Sequence, residues 1–308
     1  MTLFETKFGF SSTAAEVLED VDLRGKTMIV TGGASGIGVE TVRALAIAGA
    51  AVTIAARRPD AAEKVAADLR EATGNANIEV RSLDVADLAS VRRFSKEWDR
   101  PLHALINNAG IMALPELERT PEGREMQFAT NYLGHFALTL GLHSWLRAAQ
   151  GSRVVSVSST GSLWSPILWD DFDFRFTPYN PIVAYGQSKT ACILLSVGIA
   201  EKWRGDGIMS NALNPGAIAT NLQRHTGGLR TPEQFRKTPQ QGAANSVLLA
   251  ASPILHGVTG RYFDNCTEAT PVDARGDQPM ETVARYALDP ENATRMWDLA
   301  SGLIGVAQ

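Results

Sequence analysis

Eight residues, Thr31-Gly32-Gly33-Ala34-Ser35-Gly36-Ile37-Gly38, constrain this chain more than any others. They follow an apolar run, Lys26–Thr31, and lead into a helically spaced stretch, Gly38–Ala48. Glycines here permit a tight turn and let the backbone approach a ligand closely. A helix that begins straight after such a turn offers free N–H groups and the positive end of its dipole to an anion such as a pyrophosphate. The spacing is not Gly-x-Gly-x-x-Gly; it reads Thr-Gly-x-x-x-Gly-Ile-Gly.

The same alternation runs down the chain. Ala51–Ala55, Ile78–Leu83, His103–Ile106, Arg153–Ser158, Met209–Leu213 and Gly260–Phe263 read as buried strands. Between them Ala61–Ala72, Leu88–Glu97, Gly123–Ala149, Val183–Trp203 and Gln240–Ala251 have helical spacing. Strands alternating with helices predict an α/β fold: a doubly wound parallel sheet of about seven strands flanked by helices. Thr13-Ala-Ala-Glu16 reads as a capping box ahead of the first strand, and Pro279–Tyr286 and Pro290–Leu303 read as terminal helices. With 308 residues, no repeat and no low-complexity linker, a single domain over 1–308 is expected, with 1–24 as an N-terminal extension. Thr160–Ile182 and Ala217–Pro239 resist regular assignment, and loops of that length are often binding loops or lids.

Composition narrows the partners. A net charge of −4 without a long basic run carries no nucleic-acid footprint. No apolar stretch reads as a membrane span, and no secretory segment opens the chain. Cys192 and Cys266, the only cysteines, lie far apart, as in a reducing compartment, so a cytoplasmic protein is expected. No His, Cys and Asp cluster has metal-ligand spacing, and no metal is expected.

Two ends of a reaction site can be read from the residues. At the end of the second strand, where an acid would bind a free ribose, stand Ala55 and Ala56, followed by Arg57 and Arg58. Guanidinium suits a 2′-phosphate, which favours NADP(H) over NAD(H); two solvated arginines are the other reading. Asp84 and Val85, after the third strand, are placed to close over an adenine ring. Farther along, Tyr185 and Lys189 are four residues apart and share a helix face. A cation there favours the phenolate of a tyrosine, whose ordinary pKa of about 10 is high for work near neutrality. Ser158 and Ser159 form a doublet upstream, readable as a substrate-binding hydroxyl or as capping at a strand end. His135 reads as packing; His225, in the second loop, reads as a substrate contact or, as lone loop histidines more often are, a solvated residue.

In this order the motifs resemble the short-chain dehydrogenase/reductase family, over roughly Leu23 to Phe263. Asn107-Asn108-Ala109-Gly110 is similar to the family's Asn-Asn-Ala-Gly motif, and Asn214-Pro215-Gly216 with Ile218 and Thr220 to its Pro-Gly motif facing the nicotinamide. The resemblance implies a Rossmann-like fold and a catalytic tetrad of Asn131, Ser159, Tyr185 and Lys189. Tyr185 would be the general acid/base, Ser159 the holder of the substrate oxygen and Lys189 the partner of Tyr185 and the nicotinamide ribose. Asn131 would anchor a water reaching Lys189. Thr31, Gly32, Ser35, Gly36, Ile37, Gly38, Asn108, Ala109 and Gly110 would line the cofactor.

The long interval between Ser159 and Tyr185, with Asp264–Glu268, resembles the branch holding retinol-dehydrogenase-like and protochlorophyllide-reductase-like proteins. Its rings, Trp164, Trp169, Phe172, Phe174, Phe176 and Tyr179, build a pocket or merely fix the loop; both readings stand. The expectation is an oxidoreductase for a fairly apolar carbonyl or alcohol, with segments 160–182 and 217–239 as substrate loops. The alternatives are a catalytically silent NADP(H)-binding or sensing protein, or an epimerase or dehydratase. The family also implies a homo-oligomer, dimer or tetramer, paired through the helices around Gly123–Ala149 and Val183–Trp203; cover of those faces by the extra N- and C-terminal segments is the other reading, and the state stays open.

Overall fold

The computed structural model describes residues 3–277 and 280–306. Its main sheet has eight strands: β1 Thr27–Thr31, β2 Ala51–Ala56, β3 Ile78–Ser82, β4 Ala104–Asn107, β5 Arg153–Val157, β6 Met209–Leu213, β7 Tyr262–Asp264 and β8 Thr267–Glu268. They lie in the order β3-β2-β1-β4-β5-β6-β7-β8. β1 to β7 are parallel, and only β8 turns back antiparallel on β7. The winding reverses beside β1, between β2 and β4, and a crevice for a ligand opens beyond the carboxyl ends of the strands at such a switch point.

Helices cover both faces. Ile37–Ile47, Pro59–Thr73 and Ala244–Ala251 bury Val42, Leu45, Leu69 and Val247 against one side of the sheet. Leu88–Lys96, Gly134–Gly141 and Pro181–Lys202 pack on the other, around Phe94, Phe136 and Leu194. Pro181–Lys202 is long and apolar enough to cross a membrane by length and composition, which the sequence reading missed; its most apolar stretch is 89% buried within this fold. The C-terminal helix, Pro290–Ile304, lies against it, with Trp297 over Gly198 and edge-on to Phe136 and Trp203.

The seven strands expected are all present, and an eighth joins them because Asn265 and Cys266, at φ 49° and 62°, turn the chain sharply into β8. Two expectations are corrected. The expected helix Gly123–Ala149 breaks into Met126–Phe128, a π turn Ala129–Leu133, Gly134–Gly141 and His143–Ala148. The segment read as helix Pro279–Tyr286 instead holds β10, Thr282–Ala284, paired parallel with β9, Thr270–Val272, and then a short 3-10 turn, Arg285–Ala287; Pro279 itself lies outside the described residues. Val283 is fully buried, and that long-range partnership outweighs local helical spacing. The helix Pro290–Ile304 and the Thr13–Glu16 capping box stand as read, with Glu16 N donating to Thr13 Oγ1 and Thr13 N to Glu16 Oε2.

Candidate active site

A cavity of about 710 Å³ runs along the carboxyl ends of the central strands. The glycine turn forms its first wall, and Gly32 and Gly36 sit at φ 65° and 55°, where a side chain would be strained. Gly38 faces away from the opening: a β-carbon there would stand 2.4 Å from the Gly32 carbonyl oxygen. Thr31 is likewise fully buried behind the turn. Its Oγ1 accepts from Asn108 N and Ala109 N, each at 2.9 Å, while Asn108 Nδ2 donates to the Thr31 carbonyl at 2.7 Å. The Asn-Asn-Ala-Gly segment thus clamps the start of the turn.

The other residues read as cofactor ligands divide between the two sides of this opening. Ser35, Gly36 and Ile37 line it with Asn108, Ala109 and Gly110. Arg57, Arg58, Asp84 and Val85 line its far end; both arginines are exposed, and neither makes an ion pair among the described residues. Val85 leans on the helix after the π turn, where a β-carbon on Gly134 would fall 1.7 Å from the Val85 carbonyl oxygen. Pro215, Gly216, Ile218 and Thr220 close the opposite side, and a β-carbon on Gly36 would lie 3.5 Å from the Thr220 methyl.

Ser159, Tyr185 and Lys189 meet in the middle of the cavity. Asn180 caps the helix Pro181–Lys202 by accepting from Ile182 N and Val183 N, and Pro181 starts it, so Tyr185 and Lys189 fall on one face. Lys189 Nζ donates to the Val157 carbonyl at 3.0 Å and stands 5.6 Å from the centre of the Tyr185 ring. Ser159 Oγ accepts from Gly161 N at 3.0 Å and caps the short turn Thr160–Trp164. Ser158 also borders the cavity, but its hydroxyl is committed elsewhere: it is buried and its Oγ donates to the Lys189 carbonyl at 2.7 Å, tying helix to strand.

Asn131 lies behind this group, inside the π turn. Its amide accepts from Ile111 N at 2.9 Å and donates to the Ile111 carbonyl at 3.0 Å and to Ser188 Oγ at 2.9 Å. Ser188 in turn donates to the Tyr185 carbonyl at 2.7 Å. π turns inside helices recur at functional sites because they re-aim one residue out of the helical register.

Sequence reasoning passed over several residues that build this geometry. Gly161 and Gly186 allow the Thr160–Trp164 turn to lie against the tyrosine helix: a β-carbon on Gly186 would be 2.9 Å from the Gly161 carbonyl oxygen. Lys237 lines the cavity although its residue is only 5% exposed; its stem crosses Gly216 and its ammonium lies 5.0 Å from the Phe10 ring centre. Burial pushes the Lys237 pKa down, against the pull of Asp264 nearby. His135, read as packing, is hydrogen-bonded on both ring nitrogens. His225 is exposed beside Arg224, as expected, and lies off the cavity.

The aromatic insert divides by position. Trp164 lines the cavity and tilts toward Tyr185 at 6.3 Å between ring centres. Phe172 packs on Phe128, Phe174 on Tyr179, and Tyr179 accepts from Gln127 Nε2 at 2.9 Å, so these rings fasten the insert to the body. Phe176 is 90% exposed and lies off the cavity.

With this geometry in view, the comparisons with known proteins are specific. Residues 26–228 match the family model for short chain dehydrogenases. The chain belongs to the short-chain dehydrogenase family. It is 51% identical over 300 residues to a probable oxidoreductase of Streptomyces antibioticus, covering 93% of this chain and 100% of that one. It is 37% identical over 297 residues to retinol dehydrogenase 13 of Mus musculus, covering 92% and 85%. Among solved structures it is similar to the RhlG/NADP active-site complex of Pseudomonas aeruginosa, with 27% identity, a TM-score of 0.64 and coverage of 79% and 95%. As a short-chain dehydrogenase the protein is a nucleotide-binding oxidoreductase with a Rossmann-like sheet.

Proposed function

We propose that this short-chain dehydrogenase is an NADP(H)-dependent alcohol dehydrogenase or carbonyl reductase acting on CH–OH groups of fairly apolar substrates. The observation that carries the proposal is the meeting of Ser159, Tyr185 and Lys189 in one cavity that also runs past the glycine turn to Arg57 and Arg58. The residues suit a dinucleotide. Gly32 and Gly36 leave backbone open where β-carbons would narrow the cradle, and the N-terminus of helix Ile37–Ile47 faces the same space. A bound nicotinamide supplies the hydride, or accepts it.

The protein's own groups handle the proton and the oxygen. Tyr185 gives its phenolic proton to the substrate oxygen in reduction and takes one in oxidation. Ser159 Oγ already accepts from Gly161 N, which leaves its hydrogen free to hold the substrate oxygen and the charge developing on it. Lys189 spends one of three N–H donors on Val157, leaving two for the ribose hydroxyls and the Tyr185 side. Asn131 holds Ile111 and Ser188, the segments on either side of Lys189, and a water anchored there would serve proton exchange.

Cofactor choice rests on the missing acid at Ala55 and Ala56 and on the two uncommitted guanidinium groups after them; NAD(H) is the second choice. The NADP in the RhlG complex agrees with this reading. Trp164, Ile182, Phe235 and Met112 around the opening support an apolar substrate, with 160–182 and 217–239 as its walls. We take 1–308 as one catalytic domain whose N-terminal extension adds Phe10 to the cavity. The C-terminal helix on Pro181–Lys202 speaks against a dimer or tetramer through that face, and sedimentation tests this. Cys192 and Cys266, buried and unpaired, agree with a reducing cytoplasm.

A turnover screen of aldehydes, ketones and alcohols with both nicotinamides, followed by fluorescence, tests the proposal. Tyr185→Phe should keep NADPH binding and abolish turnover. Unchanged activity in that variant would refute the assigned role. Tight NADPH binding by the natural chain without any turnover would turn the reading toward a silent sensor.

A further inference from the structure

We propose that His135 is a positioning residue that locks the cofactor turn to the catalytic helix through one directed chain of hydrogen bonds. The inference deepens the function proposed above and rests on it for its catalytic half. His135 is 1% exposed and sits on helix Gly134–Gly141, one turn beyond Asn131. Its Nδ1 lies 3.0 Å from the Asn131 carbonyl and its Nε2 lies 2.9 Å from Thr31 Oγ1. Among the described residues no other side chain hydrogen-bonds to both Thr31 and Asn131.

The chemistry of the donors leaves a single arrangement. A carbonyl oxygen only accepts, so Nδ1 carries the ring hydrogen and donates to Asn131. Nε2 of the neutral ring then accepts, so the Thr31 hydroxyl donates to it. That hydroxyl oxygen is filled from the other side by Asn108 N and Ala109 N, each at 2.9 Å. Its alternative acceptor, the Ile106 carbonyl, is farther away at 3.4 Å. A protonated ring would aim a second N–H at an oxygen that already accepts twice. Burial, with the Lys189 charge nearby, agrees: His135 is pushed down to about 4 despite the raising effect of its bond to Asn131.

The chain therefore runs from the Asn108–Ala109 backbone through Thr31 and His135 to Asn131, and on through Ser188 to the Tyr185 carbonyl. One end belongs to the wall of the cofactor cradle and the other to the helix that carries Tyr185. Transfer between two bound partners demands placement to within a fraction of an ångström, which two separately mobile walls would not maintain. The π turn Ala129–Leu133, closed by Gly134 N reaching back five residues to the Ala129 carbonyl, sets Asn131 and His135 in this relation.

Three substitutions separate the two ends. Asparagine keeps a donor near the place of Nδ1, glutamine an acceptor near the place of Nε2, and phenylalanine keeps only the shape. In His135→Phe, NADPH should bind about tenfold more weakly and kcat should fall about tenfold, with the fold checked by its unfolding midpoint. His135→Asn should recover kcat to within about threefold while NADPH binding stays weak, and His135→Gln should do the reverse. Thr31→Val, which also strips Asn108 N and Ala109 N of their acceptor, should weaken NADPH at least as much as His135→Phe, and the double variant should lose no more than Thr31→Val alone. Unchanged binding and kcat in His135→Phe, or no split between the asparagine and glutamine variants, would overturn the proposal. If His135→Phe fails to fold, the other two decide. If the natural chain turns over nothing, the functional reading fails by itself. The NADPH arm then decides: non-additive losses in Thr31→Val and His135→Phe uphold the link, and additive or absent losses overturn it.

Discussion

Gly161 lies so close to Tyr185 that a β-carbon on it would stand 2.8 Å from Cε1 and 3.0 Å from Cδ1 of the phenol ring. The turn that carries Ser159 and the helix that carries Tyr185 are thus in register only because residue 161 has no side chain. Gly161→Ala should push the ring off its position and lower kcat by about a hundredfold. NADPH affinity should stay within about threefold, because Gly161 is not among the cavity residues. Single-turnover kinetics beside equilibrium binding checks both halves; an unchanged kcat would show that the ring position does not matter.

Arg57 stands at the far end of the same cavity with no carboxylate partner among the described residues. Replacing it with alanine should weaken NADPH by about thirtyfold, the size of a lost charge-assisted bond of about 2 kcal/mol, and NADH by less than about threefold. Titrating both nicotinamides by fluorescence measures the two constants. Equal losses would contradict a 2′-phosphate contact.

Gly134 offers the sharpest test of packing. A β-carbon there would overlap the Val85 carbonyl oxygen, which is backbone and has little room to yield. Gly134→Ala should destabilise the fold by about 3 kcal/mol and weaken NADPH at the Asp84–Val85 end. Urea denaturation gives the first quantity, and a midpoint equal to that of the natural chain would count against the close approach.

Glu125 predicts a pH dependence. It is fully buried at the start of helix Met126–Phe128, accepting from Gln127 N at 3.0 Å and Phe128 N at 2.7 Å. Burial pushes its pKa from 4.5 up to about 7; the two N–H groups and Arg119 pull it down, while Asp173 adds to the rise. The folded state therefore keeps a proton that the unfolded chain releases. Its contribution to stability is full below pH 4.5 and is lost as pH rises through about 7, by about 3 kcal/mol. Between pH 5 and pH 8 the natural chain should lose about 3 kcal/mol of stability relative to Glu125→Gln, read from the two denaturation midpoints. A constant separation would show that Glu125 titrates normally.

The parts legible in the sequence are those whose physics is local. The Thr31–Gly38 turn, the i, i+4 pair of Tyr185 and Lys189 and the Asn180-Pro181 helix start each depend on a few neighbouring residues, and each sits in the structure where the spacing put it. The π turn at Ala129–Leu133 left no such trace. Its helix is buried on nearly every side, so the apolar pattern loses the periodicity that would reveal an extra residue in the turn. The strand Thr282–Ala284 was read as helix because its partner, Thr270–Val272, is visible only once the chain has folded. Trp164 and Phe172 look alike in the sequence, yet one lines the cavity and the other packs on Phe128.

By itself the sequence determined the family and the winding of the sheet, and it named most of the residues that meet in the cavity, because alternating burial patterns and short motifs act over a few residues. The tertiary structure alone decided that His135 joins Thr31 to Asn131, that Gly161 seats Tyr185, and that the last helix covers Pro181–Lys202. Those relations link segments up to about a hundred residues apart, and a hydrogen bond or a van der Waals contact exists only where folding has brought its two atoms together.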